Sequence, residues 1–279
     1  MRRPRIRTLL AIALAAFALF YLAGIIVVAT DDRTVAPLDG QPEPHPVIAI
    51  FGASGTAGDG ILEAALADPG IRRIHVVTRR ATPRIEAGVA AGKVVMTLHT
   101  DYLDYAEIRE QIAQADTVYW AIGISSLGVD QETYGRIHVD FPLQFVKEWT
   151  SASHQPDLSF HFITSSDISE DSRAMWAREK VRAEKTLFEF AEGTNLRVIA
   201  YRPDYIGPTR EEAHLGQQLL YGFFRPVGAA VRASEIGQAM LEVTARGRSF
   251  ANGTRVGTAG IVRYSEAYQR RKPGRAASP

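Results

Sequence analysis

A run of apolar residues, Val47–Phe51, passes without a break into Gly52, Ala53, Ser54, Gly55, Thr56, Ala57 and Gly58, after which Ile61, Leu62, Ala65 and Leu66 follow at helical spacing. Few folds accept strand, glycine turn and helix in that order. Glycines at the first, fourth and seventh positions allow unusual dihedrals and let backbone come close to a bound group, and the helix that opens there presents unpaired N–H groups and a positive dipole end. The loop is therefore a candidate cradle for a diphosphate, with Gly52, Ser54, Gly55, Thr56, Ala57 and Gly58 as the contacts.

Similar alternation continues downstream. Short apolar runs at 47–51, 73–78, 93–98, 117–121, 159–164 and 196–201 predict strands, and helical stretches are expected near 58–67, 104–113, 131–150 and 173–191. Parallel neighbours need crossovers, and right-handed crossovers put helices on both faces. The expected class is α/β, a doubly wound, mostly parallel Rossmann sheet over residues 47–262, preceded by an N-terminal transmembrane helix.

That helix is read from 21 uncharged residues, Leu9 to Ala29, behind Arg2, Arg3, Arg5 and Arg7. At about 1.5 Å per residue they cover roughly 31 Å, a bilayer hydrocarbon core. A cleaved leader, for which Val27, Val28 and Ala29 offer small residues, usually has only about 7–15 apolar residues, so the length favours an anchor over residues 1–30 and a single-pass membrane protein. Four Arg before the span against Asp31, Asp32 and Arg33 after it place the domain outside the cytoplasm. Soluble nicotinamide cofactors are scarce there in bacteria, and the side of the membrane is left open. Pro37, Pro42, Pro44 and Pro46 make residues 31–46 an extended linker, and Arg270, Arg271, Lys272 and Arg275 mark 263–279 as a basic tail.

Composition narrows the chemistry. With both basic ends set aside, the body carries 24 basic against 31 acidic groups, a sign that repels nucleic acid. The absence of Cys excludes disulfides, thiolate nucleophiles and Cys-ligated zinc. Seven scattered His show no ligand spacing, so no metal is expected; Glu211 and Glu212 are adjacent and read as a solvated helix start. The second strand ends at Arg79 and Arg80 with no acidic residue to accept from a ribose, so Arg79 suits a 2′-phosphate and NADP is favoured over NAD.

These pieces resemble the extended and atypical branches of the short-chain dehydrogenase/reductase superfamily, including NmrA-like and epimerase-like NAD(P)-binding proteins, over roughly residues 47–247. Its carriers are the glycine loop, Asp101, Ala121-Ile122-Gly123, Thr164-Ser165-Ser166, Lys180 and residues 202–208. The resemblance implies that Asp101 meets the adenine amine, that Ala121, Ile122 and Gly123 line the ribose and nicotinamide side, and that Pro203 and Ile206 flank the nicotinamide. It also implies that Lys180 binds the nicotinamide ribose and that Ser165 or Ser166 holds a substrate oxygen. In place of the superfamily's Tyr-x-x-x-Lys stands Trp176 to Lys180, and an indole N–H is no general acid near neutrality. Loss of such an acid costs about 10²–10⁴ in rate. Tyr205 or Tyr134 is a candidate replacement hydroxyl. Two readings follow: an NADP-dependent oxidoreductase or isomerase on a small carbonyl or hydroxyl substrate, or a non-catalytic dinucleotide sensor or scaffold. The apolar stretch 214–231 is open to reading as core, as a lid, or as a membrane-facing patch beside the anchor. Substrate, partner and oligomeric state are not specified by the sequence.

Overall fold

A computed structural model describes residues 6–38, 40–209 and 214–271; Glu211, Glu212 and the tail beyond Arg271 lie outside the described residues. Helix α1 (Ile6–Ala29) has no buried residue. The chain then alternates through β1 (Val47–Phe51), α2 (Thr56–Leu66), β2 (Arg73–Thr78), α3 (Pro83–Ala90), β3 (Val94–Leu98), α4 (Arg109–Ile112), β4 (Thr117–Trp120), α5 (Gln131–Gly135) and α6 (Phe141–Ala152). It continues with β5 (Leu158–Ile163), α7 (Met175–Ala191), β6 (Leu196–Arg202), β7 (Tyr205–Gly207), α8 (Leu215–Phe224), β8 (Ala230–Arg232), α9 (Ala233–Ala245), β9 (Thr254–Gly257) and α10 (Thr258–Arg271).

Seven strands form one parallel sheet in the order β3-β2-β1-β4-β5-β6-β9, while β7 and β8 pair separately. The order reverses between β1, which pairs Ile48 with Ile74 of β2, and β4, where Ile48 also faces Thr117. Because successive strand residues point to opposite faces, Ile48 and Ile50 enter one core, while Ala49 and Phe51 enter the other. The first core lies under α2, α9 and α10. The second is largely aromatic, with the Phe51 ring 4.8 Å from Trp120 and 4.5 Å from Phe145. This is the doubly wound sheet that the alternation predicts.

Helices α2 and α9 approach closely because glycines face each other. A Cβ on Gly60 would lie 2.1 Å from the Ala233 carbonyl carbon, and one on Gly237 would lie 2.6 Å from the Gly60 oxygen.

Several local expectations are corrected. Segment 104–113 is a 3-10 turn followed by four residues of α4, since the Asp104 carboxylate accepts from the Ala106 N–H and starts a tight turn. Segment 131–150 is interrupted by a π-helical stretch, Arg136–Asp140. Helix α3 and strands β7, β8 and β9 are additional, three of them being too short or too exposed to show a period. Residues 263–271, expected in the tail, are helical, because Ile261, Ser265 and Tyr268 bury one face and Arg271 pairs with buried Glu242. The Pro-rich linker runs beside α10 and α9: Asp31 pairs with Arg263, the Ala36 carbonyl accepts from Arg246, and the Glu43 N–H donates to Ala245.

Candidate functional site

The segments singled out from sequence meet where the strand order reverses, at the carboxyl ends of β1, β2, β4, β5 and β6. In doubly wound sheets that crevice is where ligands settle. Gly52 adopts φ +80°, and a Cβ there would stand 2.7 Å from the carbonyl carbon of Ala121. At Gly58 a Cβ would fall 2.0 Å from the Gly52 oxygen. Both positions therefore exclude side chains. Gly55 is different: it is exposed and extended, with φ −104° and ψ 165°, and a Cβ would meet only the Gly52 oxygen at 3.5 Å. No side chain of Gly55 caps α2, so the first turn keeps its N–H groups for a ligand. Ser54, Thr56 and Ala57 complete this turn. The Arg80 guanidinium donates to the Ser54 carbonyl at 3.0 Å, tying the end of β2 to the loop.

Arg79 is exposed beside that tie, close enough to Tyr102 for its charge to oppose the rise that burial gives the phenol. The exposed Asp101 carboxylate accepts the Leu103 N–H at 3.0 Å and shapes the turn after β3. Just inside the loop, buried Asp59 takes Arg84 of α3 at 2.7 Å and the Thr209 hydroxyl at 2.9 Å. This pair locks α2 to α3 and to the strand end beyond β7.

On the other flank, Ala121, Ile122 and Gly123 follow β4. A Cβ at Gly123 would lie 2.9 Å from the His138 ring, and His138 Nε2 is 3.3 Å from the Ile124 N–H and carbonyl. His138 stacks on Tyr134 at 4.1 Å. Burial, with the charge of Lys180, pulls His138 down to about 4, so its imidazole is neutral at physiological pH. Tyr134, buried near Glu179, is pushed up to about 12. Neither group exchanges its proton readily near pH 7.

Lys180 does. Its Nζ donates to the Thr164 carbonyl at 2.9 Å, and burial pushes its pKa down to about 8, with Glu184 opposing. Glu184 is 1% exposed and accepts from Thr164 at 2.8 Å, Arg202 at 2.8 Å and Arg255 at 2.7 Å, which keep its carboxyl below the usual range despite burial. It thus fixes the end of β5, where Ser165 is half-buried and Ser166 exposed. The Ser166 hydroxyl is engaged by Asp204, whose other oxygen takes the Thr258 hydroxyl at 2.6 Å. Trp176 sits one helical turn before Lys180, half-buried in the first turn of α7. Pro203 is buried, and Tyr205 and Ile206 are half-buried on β7, with the Tyr205 ring 5.9 Å from Phe224 of α8.

Sequence reading did not single out Arg80, Asp59, Arg84, His138 or Glu184. Arg80 adjoins a flagged Arg, and a π-helical stretch of the kind that often marks functional sites carries His138, but no spacing rule reveals either.

No family model matches the chain. Over 152 residues, 53% of this chain, it is 26% identical to "Leucinostatins biosynthesis cluster protein T" of Purpureocillium lilacinum, and the match spans about half, 54%, of that relative's length. It is 23% identical over 187 residues, 65% of this chain and 76% of the other, to "Protein fmp52, mitochondrial" of Emericella nidulans. Among solved structures, a short-chain dehydrogenase/reductase from Burkholderia thailandensis superposes with TM-score 0.63 at 15% identity, covering 79% of this chain and 93% of that one. UDP-glucuronic acid 4-epimerase from Bacillus cereus, in complex with NAD, superposes with TM-score 0.59 at 12% identity, covering 76% and 77%. The chain has the fold of these enzymes.

Proposed function

We propose, for a chain with the short-chain dehydrogenase/reductase fold, that it is a membrane-anchored NADP-dependent oxidoreductase acting on a carbonyl or hydroxyl compound. The observation that carries this reading is the loop after β1: two positions, Gly52 and Gly58, where any Cβ would strike backbone, around an uncapped α2 N-terminus. The cradle fits a dinucleotide diphosphate. In this reading Arg79 takes the 2′-phosphate and Asp101 the adenine, with Ala121, Ile122, Gly123, Pro203 and Ile206 around the nicotinamide end. Anchoring rests on α1, a 24-residue helix that is uncharged from Thr8 to Ala29 and long enough to cross a bilayer.

A nicotinamide bound there would exchange a hydride with a substrate carbon. The chain's own task is to orient the substrate oxygen, exclude water and move the accompanying proton. In this reading Ser165 holds that oxygen; the choice over Ser166 is supported by the bond that already engages the Ser166 hydroxyl with Asp204. Trp176 supplies no proton. Lys180, with a pKa near the working pH, is the candidate: its ammonium gives a proton to the developing alkoxide and regains one from solvent. The Tyr205 hydroxyl is the second candidate. Trp176 favours the other reading, a dinucleotide-binding module without turnover.

Full-length protein in nanodiscs, titrated with NADPH and NADH while bound nicotinamide fluorescence is followed, tests the cofactor assignment. Arg79→Ala is expected to weaken NADPH about tenfold, the worth of one charge-assisted contact, and to leave NADH nearly unchanged. Equal wild-type affinities would contradict NADP preference. Carbonyl reduction by the wild type supports the oxidoreductase; turnover seen only in Trp176→Tyr supports the non-catalytic module.

A further inference from the structure

Helix α8 carries no charge from Leu215 to Phe224 and none of its residues is buried. Leu215 is 74% exposed, Leu219 67%, Leu220 48% and Phe223 44%. Side chains at this spacing share one face of the helix. The opposite side covers β7: a Cβ on Gly207 would meet the Tyr221 ring at 2.7 Å. The apolar face is therefore the outer wall of the region beside Tyr205 and Ile206.

Helix α1 lies alongside it. The Tyr21 hydroxyl donates to the Phe223 carbonyl at 2.6 Å, and the Phe223 ring is 5.2 Å from Tyr21 and 6.4 Å from Phe17. Further along, Gly24 faces Val227, and Gly228 faces Val28. This placement fixes depth. A span needs about 20 residues of helix, and from Arg7 that length ends near Val27. Phe17 and Tyr21 lie roughly 9–15 Å inside that boundary at 1.5 Å per residue, and Phe223, stacked on both, shares their depth. An α1 that crosses the bilayer therefore takes α8 into it.

The linker agrees. It leaves α1 beside Arg263, near the start of α10, and reaches Ala245, at the end of α9, before entering β1 at the amino edge. Because α9 and α10 both run from carboxyl edge to amino edge, α1 ends at the carboxyl edge, where the candidate site opens. Leu98, Leu103 and Leu127, exposed by 64%, 45% and 87%, stand on the same edge, after β3 and β4.

We propose that α8 is immersed in the bilayer beside α1, that the carboxyl edge of the sheet faces the lipid, and that the compound reaching the nicotinamide end is a lipid-soluble carbonyl or hydroxyl compound entering past α8. This rests on the membrane-anchored oxidoreductase reading and adds the substrate's phase.

The chain has no Cys, so single cysteines can be placed without a background. Leu14→Cys on α1, Leu219→Cys on α8 and Val95→Cys on β3, all exposed positions, carry an environment-sensitive nitrobenzoxadiazole dye in nanodiscs of the full chain. The expected result is quenching by doxyl-labelled lipid at 14 and 219 and by aqueous iodide at 95. Quenching of 219 by iodide alone, with 14 quenched by lipid, overturns the inference and leaves the anchor intact. Shielding of 219 from both quenchers means that a second copy covers α8, and also overturns it. Lipid quenching absent at 14 removes the anchor and the inference together. In the same preparation, a long-chain ketone bearing a diazirine should label Tyr205–Gly207 and Leu215–Phe224 at least tenfold more than a short water-soluble ketone with the same photophore when both are at equal concentration in their own phase. Equal labelling, or labelling confined to α1, overturns the claim about the substrate.

Discussion

In the proposed chemistry Lys180 is the proton donor, because its ammonium is held against a carbonyl with one carboxylate, Glu184, opposing the loss of charge. Competitive acetylation across pH should give Lys180 a reactivity midpoint near 8, about two units below exposed lysines, and NADPH should protect it. A midpoint above 10 would remove it as a proton donor. Its position in the sequence was legible because it lies four positions after Trp176 in a recognisable segment. Glu184 was not legible, since a Glu inside an amphipathic helix reads as solvated until the fold brings Arg202, Arg255 and Thr164 around it. Glu184→Gln leaves two guanidinium groups under-compensated. The expected loss is about 3 kcal/mol in denaturant unfolding, as when one partner of a buried pair is removed. A loss below 0.5 kcal/mol would show that Glu184 does not hold the end of β5.

Strand β5 carries a second buried arrangement, on the face opposite the aromatic core. His161 lies between Ser159 at 2.7 Å, Thr244 at 3.1 Å and Tyr201 at 3.0 Å, and burial holds its pKa well below the ordinary value. The sign is that of a base kept neutral in the fold: its stabilising contribution is complete above pH 6.5, the value in the unfolded chain, and declines as pH falls below it. Unfolding free energy should therefore drop between pH 6.5 and 5, and His161→Gln should flatten the drop, as urea titrations would show; an unchanged slope would contradict it. At this scale six strands were legible because each is a short apolar run between turn residues. Strand β9 was not, since half-buried Thr254 and exposed Arg255 and Gly257 leave one buried position, Val256, in the strand. Helix α10 was hidden by its Arg residues, two of which, Arg263 and Arg271, pair with acids distant in the chain. The close contact of α2 with α9 needed coordinates, because nothing local tells that Gly60 and Gly237 face each other.

For the molecule as a whole, one sheet edge gathers everything: the glycine turn, Arg79, Ala121 to Gly123, Lys180, β7 and the end of α1. The gathering follows from topology, since parallel strands all present their carboxyl ends to one side. The sequence therefore already gathered the candidate site, but left the side chains that brace it, and the contact of α8 with α1, to the packing. Central to the account is a diphosphate seated on the uncapped start of α2, and Gly55 permits a direct test. An Asp there has room and an ordinary φ, and its carboxylate would cap α2 while repelling phosphate. Calorimetric titration of the full chain with NADPH, wild type against Gly55→Asp, should show binding lost by more than a hundredfold in a variant that melts at or above the wild-type temperature. Unchanged NADPH affinity in that folded variant would contradict the seat.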